Sequence, residues 1–306
     1  MKLKANFLKT GLGLLTITIG LSSCSKSSEP QTQVPTAAAL NSLFNNNLEN
    51  IKQRATFSAA GTFTFVSSAG TKLIIDGTGL RKNGNPVTGN VDLEYIELYD
   101  KGSMAITNKT TMGVDTNGDL VALDSGGEMY TSIKQNGVEL TTTTPYTIET
   151  PTALTGGTKL GIQPFTGTID AAGNISWAPA LVNEFFVTTN PDKYNVLLKS
   201  FNWFNYDKLP ATGPRTTISV LVPTEYLNAS TVFLSTNAQP NSLGGIMGKW
   251  NIGLQCNVIF LAEDNGNFRY SIKPITVVNN QQVMFNISET SIATAAQMKV
   301  ILNNLP

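Results

Sequence analysis

Apolar residues near both ends of the chain recur with the spacing of an α-helix. Within residues 37–53 the apolar positions are separated by three or four residues, and within residues 291–304 they again share one side. Side chains at that spacing lie on one face of a helix. The pattern predicts a short N-terminal helix and a C-terminal helix, whose apolar positions are Leu40, Leu43, Phe44, Leu48 and Ile51, and Ala295, Met298, Ile301, Leu302 and Leu305.

Between these helices, short apolar segments alternate with polar residues and with turn residues. Asn136-Gly137 and Asp264-Asn265-Gly266 each separate two such segments and are typical of tight β-hairpins. Strands about ten residues apart with turn signals between them are typical of β-sandwiches. The sequence predicts an all-β fold with two β-sandwich domains: residues 37–165 with the N-terminal helix, a connection over 166–182, and residues 183–306 with the C-terminal helix.

The segment 91–99 changes its apolar face part of the way along. Val91, Leu93 and Tyr95 point one way in a strand, whereas Ile96 and Leu98 point the other. Such a change of parity predicts a β-bulge near Tyr95.

The N-terminus has the composition of a secretory signal. Lys2, Lys4 and Lys9 precede an apolar run over 12–21, which is too short to span a membrane as a stable helix. The run ends in Leu21-Ser22-Ser23-Cys24 and resembles a bacterial lipobox. The resemblance implies that residues 1–23 are a lipoprotein signal peptide, that Cys24 is lipidated and that 24–36 is a tether. An ordinary signal peptide with a chance cysteine is the alternative.

A lipid anchor makes the membrane the first expected partner. Several acyl chains on Cys24 would make release negligible, and the tether would reach roughly 20 Å from the membrane. Ser25 follows the cysteine instead of Asp. By analogy with lipoprotein sorting, this favours the outer membrane, with the cell-surface and the periplasmic face both left open.

Composition excludes several classes of function. Without residues 1–23 the chain has 283 residues and a net charge of −3, without a basic stripe, so nucleic-acid binding is not expected. The chain contains no histidine, which excludes Ser-His-Asp and Cys-His catalysis and histidine-ligated zinc or haem. Cys256 lies on an alternating apolar face and is predicted to be a buried core residue. No cofactor is expected.

Three patterns carry candidate chemistry. Asp115, Asn117 and Asp119 have the D-x-N-x-D start of a calcium loop, but Leu120 and Gly126 replace its glycine and its bidentate acid, so a polar hairpin turn is the alternative. Asp92 and Glu94 share one face of a strand at roughly the 5–9 Å separation that the two carboxylates of a hydrolase need across a cleft. Adjacent acids on a strand are usually only solvated, which is the alternative.

The third pattern is aromatic. Along 201–206, aromatic side chains occupy both faces of one strand, and in a two-sheet sandwich one of those faces is expected to be exposed. Exposed rings on a β-sandwich stack on sugars, which makes Trp203, Phe204 and Tyr206 candidate ligand-binding residues.

Several turn and core motifs resemble a known group of proteins. Asn83-Gly-Asn-Pro-Val-Thr-Gly-Asn, Asn117-Gly-Asp-Leu, Ser125-Gly-Gly-Glu-Met and the Trp203-x-Asn205-x-Asp207 segment resemble those of Bacteroidota-type lipoproteins of unknown function. The resemblance implies tandem immunoglobulin-like or prealbumin-like β-sandwiches. Some relatives have a cysteine where this chain has Asn205, which agrees with its lack of a disulfide.

These observations predict a lipid-anchored cell-envelope protein with a non-enzymatic binding or structural role. Its expected partners, apart from the membrane, are a glycan or an envelope protein. The alternatives are a glycan-binding accessory lipoprotein of a polysaccharide uptake system and a carboxylate-dependent hydrolase.

Overall fold

The computed structural model of the chain describes residues 34–181, 185–237 and 239–306. The signal segment, Cys24 and most of the predicted tether lie outside the described residues. The described chain from Val34 to Pro306 forms one compact unit.

Three α-helices are present in the described residues: α1 Ala37–Ile51, α2 Lys101–Ile106 and α3 Ala295–Asn303. The predicted N-terminal and C-terminal helices are therefore confirmed. The side chain of Thr36 accepts a hydrogen bond from the backbone of Ala39 at the start of α1, and Thr294 and Gln297 form a capping box on α3. Such caps satisfy backbone N–H groups that the first helical turn leaves free.

The strands account for most of the remaining ordered chain. In the first half they are β1 Gln53–Ser58, β2 Thr62–Val66, β3 Lys72–Asp76, β4 Leu80–Lys82, β5 Asn85–Pro86, β6 Asn90–Leu98, β7 Met112–Val114, β8 Leu120–Ala122, β9 Asp124–Gln135, β10 Val138–Glu139, β11 Thr141–Thr142 and β12 Tyr146–Pro151. In the second half they are β13 Gln163–Ile169, β14 Ile175–Pro179, β15 Phe185–Thr189, β16 Lys193–Leu198, β17 Trp203–Lys208, β18 Arg215–Thr216, β19 Ser219–Leu221, β20 Ser230–Thr236, β21 Gly244–Gly245, β22 Trp250–Asn251, β23 Gln255–Asp264, β24 Asn267–Thr276, β25 Gln282–Met284 and β26 Ser291–Ala293.

Three sheets organise the described chain. The central sheet has the order β1-β6-β9-β17-β13-β14-β7-β8, with β10 also paired to β9. The outer sheet has the order β15-β16-β12-β3-β2, and the distal sheet has the order β21-β20-β23-β24-β26. The fold is thus all-β, with packed sheets and with a helix near each end of the described chain.

Both faces of the central sheet are buried. One face packs on the outer sheet in a first core that includes Tyr95, Ile133 and Val196. The other face packs on the helices and the distal sheet in a second core that includes Trp177 and Phe268. The distal sheet buries its far face in a third core around Val258 and Phe260. Burial of each large apolar side chain contributes about 1.5–3 kcal/mol to the stability of such cores.

This layering explains why the predicted bulge near Tyr95 is wrong. The pairing of β6 with β9 is regular there, with Tyr95 opposite Thr131 and Ile96 opposite Tyr130. Tyr95 belongs to the first core and Ile96 to the second, so both faces of β6 are apolar. The irregularity lies instead between β17 and β9, where the register shifts between Asn205 and Asp207.

The predicted domain limits also need correction. Residues 166–182 contain parts of β13 and β14, which are strands of the central sheet joined by a hairpin turn, and β17 lies between β9 and β13. Strands β15 and β16 belong to the outer sheet. The sequence predicts a connection over 166–182 because a hairpin turn and a linker share the same small and polar composition.

The predicted hairpins are confirmed where Asn-Gly pairs carry positive φ angles. Asn136 has φ 52° and Gly137 φ 76° between β9 and β10, and Asn265 has φ 50° and Gly266 φ 80° between β23 and β24. Both central positions of a type I′ turn require positive φ, which Asn and Gly tolerate best.

Candidate functional site

A cleft with a volume of about 720 Å³ lies where the second and third cores meet. Helix α1, the β7–β8 hairpin, strand β14 and strands β19 to β21 all contribute to its walls. Its floor is apolar and is formed by Phe44, Met112, Ile175, Ile218, Val232 and Phe233, which are all buried. Volumes of this size and apolar floors are typical of sites for small organic ligands.

The local structure explains why these side chains converge. Leu40 and Phe44 are one helical turn apart, so the apolar stripe of α1 faces the cleft and the second core. Strand β20 pairs with β21 only through Phe233 and Leu234. The preceding residues, Ser230 and Thr231, therefore lie along an open stretch of the β20 edge and line the cleft.

The rim of the cleft carries amide side chains. Asn41, Asn108, Asn174 and Asn228 all line it. The Asn108 side chain donates a hydrogen bond to the Asn174 side chain over 3.0 Å. Each carboxamide can donate and accept hydrogen bonds, so such a rim suits an uncharged polar group.

Among the described residues that line the cleft, one carries a charge, and it is Asp170. Its carboxylate accepts hydrogen bonds from the backbone of Ala172 and Asn174 and from the Asn174 side chain, each over 2.9 Å. The hydrogen bond from the Asn174 side chain and those from the backbone lower the pKa of Asp170. The carboxylate thus stabilises its own turn.

The segment between α2 and β7 separates the cleft from the interior of the central sheet. Asn108 faces the cleft, whereas the buried Lys109 turns inward and its Nζ donates to the backbone carbonyls of Thr107 and Gly173. Lys109 Nζ also lies 5.9 Å from the Trp203 ring centroid. The indole Nε1 of Trp177 donates to the Thr110 carbonyl over 2.8 Å. These contacts hold the wall in place.

Behind this wall lies a buried acidic pair that was not among the predicted site residues. Glu128 on β9 is opposite Asn205 on β17, and the Asp207 carboxylate accepts hydrogen bonds from the Gly126 N–H over 2.9 Å and from Asn205 Nδ2 over 2.8 Å. Burial raises the pKa of Asp207 to about 8. Burial and the neighbouring Asp207 raise the pKa of Glu128 well above its usual range.

Both acids of the pair have a raised pKa, as a catalytic acid does, but neither is accessible from solvent. Glu128 and Asp207 are both fully buried, so a substrate from solvent does not reach them. Both belong to the motifs Ser125-Gly-Gly-Glu and Trp203-x-Asn205-x-Asp207. The structure explains these motifs as the two sides of one strand pairing, and no local signal could have revealed that they meet.

The predicted sugar-binding aromatics are buried, and this prediction is corrected. Trp203, Phe204 and Tyr206 are at most 5% exposed. Trp203 faces the second core, whereas Phe204 and Tyr206 face the first, because the central sheet is covered on both faces. Among the described residues, the large apolar side chains that are exposed include one aromatic ring, that of Phe186 on β15, which is 49% exposed.

The predicted calcium ligands form an ion-paired hairpin turn between β7 and β8. The Asp115 carboxylate accepts hydrogen bonds from the backbone N–H of Asn117 over 2.9 Å and of Asp119 over 3.0 Å. It also forms an ion pair with Arg215 over 2.6 Å. The hydrogen bond from Arg215 lowers the pKa of Asp115. Asp119 pairs with Lys249 over 2.7 Å. The described residues contain no group of three acids, cysteines or histidines that could hold a metal ion.

The acids on β6 are also engaged with neighbours. Asp92 accepts from the Thr56 hydroxyl over 2.7 Å, and Glu94 pairs with Lys134 over 2.9 Å. Burial opposes the charged form of Glu94, but the hydrogen bond from Lys134 and the charge of Lys52 outweigh it and lower its pKa. A carboxyl group with a lowered pKa is a poor general acid. Cys256 is buried on β23, as predicted, and burial raises its pKa to about 11.

None of the helices in the described residues is both long enough and apolar enough to cross a membrane. Comparison with known proteins finds no family model that matches the chain and no matching curated protein.

Proposed function

We propose that this chain is a lipid-anchored cell-envelope protein with a non-enzymatic binding role, and that the cleft is its ligand site. In this proposal Cys24 carries the lipid and the protein resides at the outer membrane. The observation that carries the binding role is the cleft itself, with its volume of about 720 Å³, its apolar floor and its amide rim.

The chemistry of the cleft favours binding over catalysis. Catalysis of hydrolysis requires a positioned acid, base or nucleophile at the substrate. The acid at this cleft, Asp170, is occupied by hydrogen bonds from its own turn, and the amide side chains of the rim do not titrate. An apolar floor with a few convergent polar groups fixes the orientation of a ligand without transforming it.

A binding assay with the uncharged dye Nile red tests this proposal. We expect one dye molecule to bind per protein, with a rise in fluorescence. Val220→Trp should reduce the affinity at least tenfold because Val220 lines the cleft, and the added ring would fill it. Leu221→Trp is the matched control, since Leu221 is the next residue on β19 and is exposed.

Equal binding by the two variants, or an absence of saturable binding to the parent protein, would contradict the proposed site. Urea unfolding of both variants checks that the comparison is made between folded proteins.

A glycan-binding role is the second candidate, and one feature of the outer sheet favours it. Phe186 on β15 is directly opposite Leu197 on β16, and both side chains are exposed. Thr147 and Ile74 continue this cross-strand row on the same face. The exposed ring of Phe186 in this row could stack on a sugar ring. If it does, Phe186→Ala should reduce retention on immobilised envelope polysaccharide, whereas Val220→Trp should not.

A further inference from the structure

Two exposed apolar side chains flank the cleft. Leu227 follows the turn Thr224–Tyr226 and is 66% exposed, and Met247 follows β21 and is 83% exposed. Both line the cleft. Exposed apolar side chains are ordinary when isolated, but beside an apolar floor they extend one continuous apolar surface from the interior to the solvent. A flexible aliphatic chain would cover such a surface.

The charges at the cleft constrain the polar end of the ligand. The described residues that line the cleft include no lysine or arginine, and Asp170 is engaged in its own turn. A phosphate or carboxylate group would therefore find no cation there. Hydroxyl, ester or amide groups would match the amide side chains of Asn41 and Asn228 on the rim.

The position of the cleft along the chain relates it to the membrane. Ala37, the first residue of α1, lines the cleft, and the described chain begins three residues earlier at Val34. Nine residues lie between Cys24 and Val34, so their Cα atoms are ten steps apart. Even a fully extended chain of that length spans at most about 35 Å. A lipidated Cys24 would therefore keep Val34 within that distance of the point of attachment in the bilayer.

The same segment is unsuited to fill the cleft itself. Residues 24–33 read Cys-Ser-Lys-Ser-Ser-Glu-Pro-Gln-Thr-Gln, which provides no aliphatic side chain for an apolar floor. Burial of the charges of Lys26 or Glu29 there would be costly.

We infer that the cleft binds the acyl chain of an uncharged lipid from the membrane in which the protein is anchored. The aliphatic chain lies on the floor around Phe44, Ile175 and Phe233, and the uncharged head group meets the amide rim. This inference rests on the proposed function, because it names the ligand class of the same site.

Photo-crosslinking in vesicles tests the inference. The lipidated protein, residues 24–306, is reconstituted into phosphatidylcholine vesicles that contain a trace of monoacylglycerol with a diazirine at the end of its chain. We expect crosslinks on peptides that contain residues 218–222, 227–233 or 245–247. Val220→Trp should lower the labelling at least tenfold, and Leu221→Trp should leave it within twofold of the parent protein.

Two further experiments test whether the head group must be uncharged and whether the lipid comes from the membrane in which the protein is anchored. A lysophosphatidylglycerol with the same diazirine chain carries a negative charge and should label the cleft at least fivefold less. Cys24→Ala protein added to the same vesicles should lose most of its labelling but retain Nile red binding, because the cleft is intact and only the anchor is missing.

The outcomes distinguish this inference from the proposed function. Nile red binding in the cleft without crosslinks there would overturn the lipid inference and leave the binding role in place. Absence of both would overturn both. Equal labelling by the charged and uncharged lipids would overturn the assignment of an uncharged head group.

Discussion

Glu128 and Asn205 lie directly opposite each other on β9 and β17, and both are fully buried. Their pairing places two acids, Glu128 and Asp207, in the interior of the central sheet. The carboxyl oxygens of Glu128 and the Asn205 Oδ1 have no hydrogen-bond partner among the described atoms. Buried polar groups of this kind lower stability unless they are neutral or paired. The sheet therefore tolerates the pair best when it is protonated.

The pH dependence of stability follows from Asp207. The pKa of Asp207 is about 8 in the folded protein, above its usual value of 3.8. Between about pH 4 and pH 8, Asp207 therefore keeps its proton in the folded protein, whereas the unfolded chain has lost it. The contribution of Asp207 to stability should fall as pH rises through that window, by at most about 1.4 kcal/mol per pH unit, and Glu128, whose pKa is also raised, should add to the fall. Asp207→Asn should make the fall shallower, because it removes the part due to Asp207 and leaves the part due to Glu128, as measured by urea unfolding from pH 4 to pH 9. The exposed Asp192→Asn control should retain it, and identical profiles for both variants would contradict the argument.

Truncation of Trp203 on β17 should lower the stability of the protein much more than truncation of Phe186 on β15. Trp203→Ala should lower the free energy of unfolding by about 3–5 kcal/mol, because the ring is buried in the second core against Trp177 and Tyr130. Phe186→Ala removes a half-exposed ring and should cost about 1 kcal/mol or less. Chemical denaturation measures both. A Trp203→Ala protein as stable as the parent would mean that the ring is exposed after all.

The hairpin that contains Asp115 should respond to the loss of its arginine partner and not to calcium. Asp115→Asn should lower stability by about 1 kcal/mol, because the ion pair with Arg215 is lost while its turn hydrogen bonds persist. Addition of Ca²⁺ should leave the melting temperature of the parent protein unchanged. A rise with Ca²⁺ that Asp115→Asn abolishes would restore the metal site. Asp264 is partly buried and is ion-paired with Arg269 in a different hairpin, and Asp264→Asn provides the matched control.

Removal of the predicted lipid attachment site should release the protein from the membrane. Cys24→Ala should move it from the membrane fraction to the soluble fraction, since two or more acyl chains provide stable anchoring. Fractionation and immunoblotting measure this change, and Cys256→Ala is the control because that thiol is buried in the third core. A Cys24→Ala protein that still sediments with membranes would contradict lipid anchoring. Protease treatment of intact cells then separates the cell-surface location from the periplasmic one.

Local patterns in the sequence predicted the features that depend only on residues close together in the chain. The stripe of α1, the hairpin at Asn136-Gly137 and the buried position of Cys256 follow from spacing over a few residues. Helix α2 was missed because its six residues are all buried and carry no helical period of apolar positions.

Relationships between distant segments could not be predicted in this way. Alternation within β6 does not reveal that a second layer covers its other face, so Tyr95 and Ile96 suggested a bulge. The cleft combines α1, β14 and β20, which are far apart in the chain. Periodicity states how a strand alternates, but it contains no information about which strand becomes its neighbour.

The insertion of β17 between β9 and β13 has a consequence for how the protein is assembled. The middle of the central sheet cannot close until residue 208 is available, although all the other strands of that sheet come earlier in the chain. Contacts between residues so far apart in sequence form slowly. Until β17 is in place, β9 and β13 would expose their edges to other chains. If the protein is exported from its N-terminus, it would pass through that vulnerable stage after β13 has emerged and before β17 has, which is when protection by a chaperone would matter most.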